Sequence, residues 1–326
     1  MKRILIIQTA FIGDVILATP LIEKLKRFYP DADIDFLLRK GNEGLLREHP
    51  KINKVLIWDK KKSKYNSLAK LGKEVRRNNY DLLINLQRFA SSGLLTTSSG
   101  ATEKIGFSKN PFSFAYTKKF PHVIDREHHE THRNLSLIEH LTDASFQRPV
   151  LYPTAVDYAK AEPYTGQPFI TISPASVWFT KQLPSEKWIE LIHSIKHDWR
   201  IYLLGGPADL EICAKIKADS AHSGVHVLAG ELNFLQSAAL MESARMNYTN
   251  DSAPLHMASA VNAPVTAVYC STIPEFGFGP LSDVSHTVQT AEELTCRPCG
   301  LHGKKSCPKG HFKCAHGIDV QQMLPS

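Results

Sequence analysis

Polar groups able to do chemistry stand at the ends of apolar runs in this chain, and Asp14 is the first of them. Ile4 to Ile7 is apolar, a short polar turn follows, and after Gly13-Asp14 the residues Val15, Ile16, Leu17, Leu21, Ile22 and Leu25 recur at helical spacing. This predicts a buried strand entering a helix, with the stretch's single carboxylate at the helix start. Ligands of open α/β sheets collect at the carboxyl ends of strands, so Asp14 could take a proton from a bound hydroxyl. It could equally do no more than cap the helix, because Asp suits a positive helix end. That end also keeps the carboxylate ionised and lowers its basicity, so a base here needs burial to offset the dipole.

Three turns of the second half carry polar groups in the same setting. Ser173-Pro174-Ala175-Ser176-Val177-Trp178-Phe179-Thr180-Lys181-Gln182-Leu183-Pro184 places Ser176, Thr180 and a lone Lys181 between a strand end and a Pro-initiated helix. Such a loop suits an anion, and a Lys beside a diphosphate would stabilise a leaving group; a surface Lys on a turn is the plainer reading. Gly205-Gly206-Pro207-Ala208-Asp209 closes the next strand, and its glycines permit close backbone approach to a ligand or merely a tight turn. Asn250-Asp251-Ser252-Ala253-Pro254-Leu255-His256 offers Asp251 or Ser252 as a cap, with His256 about one turn further on. Free N–H groups at that helix start fit a phosphate, while a simple cap and a packed His fit equally well. No Gly-x-Gly-x-x-Gly and no Gly-x-x-x-x-Gly-Lys occurs, which argues against a dinucleotide dehydrogenase or a phosphate-loop NTPase.

The tail reads Cys296-x2-Cys299-x7-Cys307-x6-Cys314, with His302, His311 and His316 interspersed. Structural zinc on Cys296, Cys299, Cys307 and Cys314, reduced thiols and a labile disulfide are all compatible with this clustering. Zinc is not favoured, because the second Cys-x2-Cys of a zinc ribbon is missing.

These turns need elements to hold them. Strands are expected at 34–38, 55–58, 81–86 and 104–107, with helices at 68–77, 91–99 and 134–141 and a long loop from Pro111 to Arg133. A punctuated boundary over Pro149 to Pro168 separates this half from a second alternation: strands at 169–172, 201–204, 225–228, 246–248 and 265–269, helices at 184–196, 208–218, 235–243 and 253–261. Strand and helix alternate in both halves, so each predicts a parallel sheet covered on both faces, and two such domains would enclose a ligand cleft. The 326 residues also exceed what one core usually holds.

Charge separates the halves. Residues 1–163 hold 27 Lys and Arg against 18 Asp and Glu, while residues 164–326 hold 12 against 14, within an overall charge of +7. Only the first half is built to meet an anion, with Lys60, Lys61, Lys62 and Lys64 prominent. A solvated face, a phosphorylated substrate and an anionic membrane surface are the open readings; without interleaved stacking aromatics, no nucleic-acid partner is expected. No apolar run approaches a membrane span or a signal-peptide core, so a cytoplasmic protein is expected.

The segment Gln8-Thr9-Ala10-Phe11-Ile12-Gly13-Asp14-Val15-Ile16-Leu17-Ala18-Thr19-Pro20, the Thr180-Lys181-Gln182-Leu183-Pro184 step, Gly205-Gly206-Pro207 and the 250–256 turn together resemble glycosyltransferase family 9, the ADP-heptose:lipopolysaccharide heptosyltransferases. The tail Cys307-Pro308-Lys309-Gly310-His311-Phe312-Lys313-Cys314 is similar to that family's cysteine segment. The resemblance implies a GT-B architecture, with residues 1–160 as a Rossmann-like acceptor-binding domain and 161–326 as a Rossmann-like nucleotide-sugar-binding domain. It implies an inverting, metal-independent transfer of heptose to a phosphorylated lipopolysaccharide inner-core glycolipid, with no required cofactor. Asp14 maps onto the family's base and Lys181 onto its lysine at the donor diphosphate. Ser176, Thr180, Gly205, Gly206, Asp209, Asp251, Ser252 and His256 complete the expected donor site. Gly13, Lys60, Lys61, Lys62, Lys64 and Arg88 are expected at the acceptor, beside the inner leaflet of the inner membrane. Ala253 stands where many members have Gly, and Leu183 where Trp is frequent, so another nucleotide-sugar donor is the alternative. A non-enzymatic anion-binding protein with a zinc tail is the more distant one.

Overall fold

A computed structural model describes residues 1–60, 64–196 and 198–324, with Lys64 and Tyr65 as backbone only. The chain divides into two compact units, Met1–Ile124 with His128–Tyr152, and Asp125–Glu127 with Pro153–Ser326.

The first unit runs β1 (Arg3–Ile7), α1 (Ile12–Ile16), α2 (Thr19–Phe28), β2 (Asp33–Arg39), β3 (Lys54–Trp58), α3 (Lys64–Arg77), β4 (Leu82–Asn85), α4 (Ala90–Ser98), β5 (Glu103–Phe107), β6 (Lys118–Phe120) and α5 (Glu130–Ser136). Its strands form one sheet in the order β3-β2-β1-β4-β5-β6, with every pairing parallel. Central parallel strands are buried on both faces, which is why Ile4, Leu5, Ile6 and Ile7 are aliphatic without alternation and fully inaccessible. On one face Leu5, Ile7, Leu37, Leu56, Trp58 and Leu83 pack with Leu71 and Val75 of α3 and Leu95 of α4.

The second unit runs α6 (Ala155–Ala161), β7 (Phe169–Ser173), α7 (Ser185–Ser194), β8 (Arg200–Leu203), α8 (Leu210–Ser220), β9 (Val225–Val227), α9 (Phe234–Ser243), β10 (Asn247–Asn250), α10 (Ala253–Ala260), β11 (Val265–Tyr269), β12 (Ser285–Gln289) and α11 (Lys313–His316). Its parallel sheet has the order β12-β11-β10-β7-β8-β9. A capping box opens α9: Gln236 N–H donates to Asn233 Oδ1 and Asn233 N–H to Gln236 Oε1, each at 3.0 Å.

Two local expectations are corrected. The stretch 111–133 contains β6 and the start of α5 rather than loop alone. Its short strand adds an outer rung to β5, and α5 opens with the His129 ring accepting Thr131 N–H at 3.1 Å. The punctuated segment 149–168 contains α6, begun by Thr154 and Asp157 exchanging hydrogen bonds of 2.9 and 3.4 Å. Beyond β11 the chain adds β12, an outer strand whose Ser-His-Thr-Val-Gln sequence buries Val288 alone and so gives little periodic signal. The tail completes the core of this unit: Phe312, Cys314, Ala315, Ile318, Val320 and Met323 belong to the same apolar cluster as Ile172, Trp188 and Leu203.

Candidate active site

In the first unit the turn following β1 sets Asp14 beside Arg39 at the end of β2, and further cations stand in the turns following β3 and β4. Asp14 is the third residue of α1, and its carboxylate accepts Phe11 N–H at 3.1 Å. The residue at the N-cap position is Phe11, so Asp14 caps from inside the helix rather than from its edge. Protein packed around this partly buried carboxyl raises its pKa to about 6, and the charge of Glu130 adds to the rise. The amide hydrogen bonds of α1 and the guanidinium of Arg39 oppose it without reversing it. Desolvation therefore outweighs the helix dipole, and Asp14 is a stronger base than an ordinary aspartate.

Glu130 sits there because α5 is fastened to the end of α1, with Asn134 Nδ2 donating to Leu17 O at 3.1 Å. Burial alone would raise the Glu130 carboxyl, but His122 Nε2 at 3.1 Å and Arg133 at 3.2 Å outweigh it and hold it below the usual glutamate value. Arg39, at the end of β2, lies 4.6 Å from the centre of the Phe11 ring. Lys60 turns back over β1, donating to Thr9 O at 2.8 Å and Thr9 Oγ1 at 3.0 Å while lying over the Trp58 ring. Arg88 is exposed after β4, over Phe89. Gly13 contributes backbone to α1 and Lys64 opens α3, while Lys61 and Lys62 lie outside the described residues.

In the second unit the loop after β7 is anchored at both ends by buried Asn250, which accepts Leu183 N–H at 2.9 Å and donates to Pro174 O at 2.8 Å. Lys181 is thereby set against the end of β10, where its Nζ lies 2.7 Å from Asp251 Oδ2. The same carboxylate oxygen accepts the Thr272 hydroxyl at 2.6 Å. The Lys181 side chain is 15% exposed, enough to reach a ligand from a fixed base. Thr180 faces inward: its hydroxyl oxygen accepts Lys304 N–H at 2.7 Å and Ser271 Oγ lies at 3.0 Å. Ser176 is partly exposed and its carbonyl accepts Gln182 Nε2 at 2.7 Å.

Asp209 closes its own turn by accepting Gly206 N–H at 2.8 Å, and a Cβ on Gly205 would stand 2.7 Å from Asp209 Cβ, which is why glycine is needed there. Ser252 occupies the N-cap position of α10 without a side-chain cap, and Asp251 is engaged by Lys181 instead. His256 is buried, its ring 6.4 Å from that of Phe278.

Tail residues support this half. Gly303 has φ +72°, and a Cβ there would fall 2.8 Å from Lys181 Cγ and 3.1 Å from Trp178 Cβ. The Arg297 guanidinium donates to the carbonyls of Cys270 at 2.7 Å and Thr272 at 2.8 Å, pinning the strand end that carries Thr272. All six cysteines are free thiols, and among the described residues no three His, Cys, Asp or Glu side chains gather as a metal site. Burial would raise the Cys307 thiol, but surrounding backbone N–H groups, Phe312 and Lys309 foremost, bring it below the ordinary value.

Glu130, Arg39, Asn250, Thr272 and Gly303 were not among the expected site residues. Thr272 carried a legible signal, as a hydroxyl residue just beyond an apolar strand; the others become neighbours of Asp14 or Lys181 only through tertiary contact.

The profile of Glycosyltransferase family 9 (heptosyltransferase) matches residues 68–308. Lipopolysaccharide heptosyltransferase 3 of Escherichia coli is 30% identical over 281 residues, covering 80% of this chain and 82% of that protein. The structure of E. coli ADP-heptose lps heptosyltransferase II superposes with a TM-score of 0.78 at 22% identity, covering 99% of this chain and 96% of that one. E. coli heptosyltransferase WaaC with ADP-2-deoxy-2-fluoro heptose gives 0.68 at 22% identity, covering 88% and 93%. These structural likenesses are of fold, two Rossmann-like units of the GT-B architecture. With the profile spanning most of a chain that carries Asp14, Lys181 and Asp251 at its strand ends, the chain belongs to glycosyltransferase family 9 and is a glycosyltransferase.

Proposed function

We propose that the chain transfers a heptose from ADP-heptose to a phosphorylated sugar of a lipopolysaccharide inner core, with inversion and without a metal. The observation that carries the reading is Asp14, a carboxyl raised to about 6 at the carboxyl end of a central strand. Family membership and relatives named for heptose transfer support the donor and acceptor classes. Membership in an enzyme family sets aside the non-enzymatic anion-binding reading.

The first unit holds the acceptor. Asp14 takes the proton of an acceptor hydroxyl, and the freed oxygen pair attacks the anomeric carbon opposite the diphosphate. The new C–O bond forms as the bond to the diphosphate breaks, which inverts the centre. The second unit holds the donor. Without ligand, Asp251 and Thr272 keep Lys181 in place; the donor diphosphate then takes over as its counter-ion, and Lys181 with the α10 N–H groups beside Ser252 stabilises the departing charge. Gly13, Lys60, Lys61, Lys62, Lys64 and Arg88 meet the acceptor, and Ser176, Thr180, Gly205, Gly206, Asp209 and His256 surround the donor, Thr180 and Asp209 by shaping its turns. Asp14→Asn should sharply lower transfer while leaving the fold and the donor-induced thermal shift intact; near-wild-type turnover would refute the base assignment. A stabilising shift with UDP-sugars but none with ADP-heptose would replace the donor.

A further inference from the structure

Two glutamine side chains at the carboxyl ends of the first sheet are almost sealed in protein and yet leave hydrogen-bonding groups unused. Gln8 follows β1 and Gln87 follows β4, its neighbour in the sheet, and they are 4% and 5% exposed. Gln8 Oε1 accepts Ala10 N–H at 3.3 Å and also the Gln87 Nε2 group. A backbone N–H only donates, so the Gln8 atom facing Ala10 is the oxygen, and the Gln87 atom facing that oxygen is the nitrogen. Gln8 Nε2 and Gln87 Oε1 are left over, and among the described residues neither has a partner. Neither atom is enclosed, so a ligand can reach both. Their frame is fixed. Gln87 N–H donates to Asn85 Oδ1 at 2.9 Å, and its carbonyl accepts Asn110 Nδ2 at 2.8 Å. Asn85 Nδ2 in turn donates to Thr96 Oγ1 and to the Tyr116 hydroxyl, each at 2.9 Å. Gln8 N–H pairs with Leu37 O at 2.9 Å, and the bond to Ala10 ties the pair to the β1–α1 turn, which carries Asp14.

We infer that Gln8 and Gln87 select the acceptor by its non-reacting hydroxyls: a sugar oxygen accepts from Gln8 Nε2, and a sugar O–H donates to Gln87 Oε1. A ligand seated on the pair must offer both an acceptor and a donor, or leave the two amides unpaired where water no longer reaches them. Sugar hydroxyls supply both roles. The pair carries no charge, so it reads hydroxyls, whereas Lys60 and Arg88 suit phosphate. Because the amides are held by the sheet and by Asn85 and Asn110, little freedom is lost when they bind, and the ring is fixed while another of its hydroxyls meets Asp14. The inference rests on the reading of the first unit as the acceptor half with Asp14 as the base.

The test measures transfer by the full chain from ADP-heptose to a deacylated, phosphorylated inner-core oligosaccharide, and to synthetic counterparts that each lack one hydroxyl of the acceptor sugar. With wild type, removing one of the recognised non-reacting hydroxyls should lower kcat/KM for the acceptor about 10–100-fold. Gln8→Met keeps the bulk of the side chain and removes the amide. It should lose a similar factor on the complete acceptor and hardly anything on that deoxy counterpart, with the donor KM and the donor-induced thermal shift at wild-type values. Gln87→Met should repeat the pattern and serves where Gln8→Met does not fold. A loss that is equal on every acceptor, or wild-type kcat/KM in both variants, would overturn the inference. So would equal use by wild type of every counterpart that keeps the reacting hydroxyl, a result that needs no variant to fold. Absence of transfer by wild type to all of these acceptors would instead overturn the acceptor reading, and the inference with it.

Discussion

The two units share a six-stranded parallel topology, yet their carboxyl-end turns treat an aspartate in opposite ways. Asp251 has an ammonium at 2.7 Å and a hydroxyl at 2.6 Å on one oxygen. Asp14 has helix N–H groups, a like charge in Glu130 and an opposing guanidinium in Arg39 held over Phe11. The first arrangement fixes a cation; the second leaves a proton acceptor underused. The difference teaches that the scaffold supplies only the place, and that the side chains from neighbouring turns decide between a charge clamp and a base.

Breaking the base should have the largest effect. Asp14→Asn should lower kcat by about 10²–10⁴-fold, the usual worth of a positioned general base, measured with saturating donor and acceptor. Lys181→Met should cost about 10²–10³-fold in kcat/KM, and the donor-induced thermal shift should shrink with it. Gly303→Ala forces a side chain at φ +72° and into the Lys181 stem; it should destabilise by about 1–2 kcal/mol and raise the donor KM with little change for the acceptor. A smaller effect runs the other way. Asp14 has a folded pKa of about 6 against a reference of 3.8, so its ionisation disfavours the fold. That cost grows as pH rises from the reference value through 6 and is full above it. At neutral pH Asp14→Asn should therefore be as stable as wild type or more so by about 1 kcal/mol, even after weakening the Phe11 hydrogen bond, as read by chemical denaturation.

Much of the architecture was legible because buried parallel strands tend to be continuous apolar runs, as at Ile4–Ile7 and Leu82–Ile84. Asp14 and Lys181 were legible for the same reason, each following such a run. Glu130 was not: it lies in a His-rich stretch with no apolar period, and it reaches Asp14 through tertiary contacts such as that of Asn134 with Leu17. Neither the pairing of Lys181 with Asp251 nor the closeness of Gly303 can be read from spacing, since both join distant segments. The tail misled in another way, its cysteines drawing attention from Phe312, Ile318 and Val320, which complete the core.

The central claim is that Asp14 acts as a base because burial and Glu130 raise its carboxyl. The pH dependence of kcat/KM for wild type and Glu130→Gln tests it most directly. Wild type should lose activity on the acid side with a midpoint at about 6. Glu130→Gln, which removes the like charge, should shift that midpoint to lower pH and leave the plateau at higher pH nearly in place. A wild-type profile flat through this range, or a midpoint that stays put in Glu130→Gln, would contradict the account.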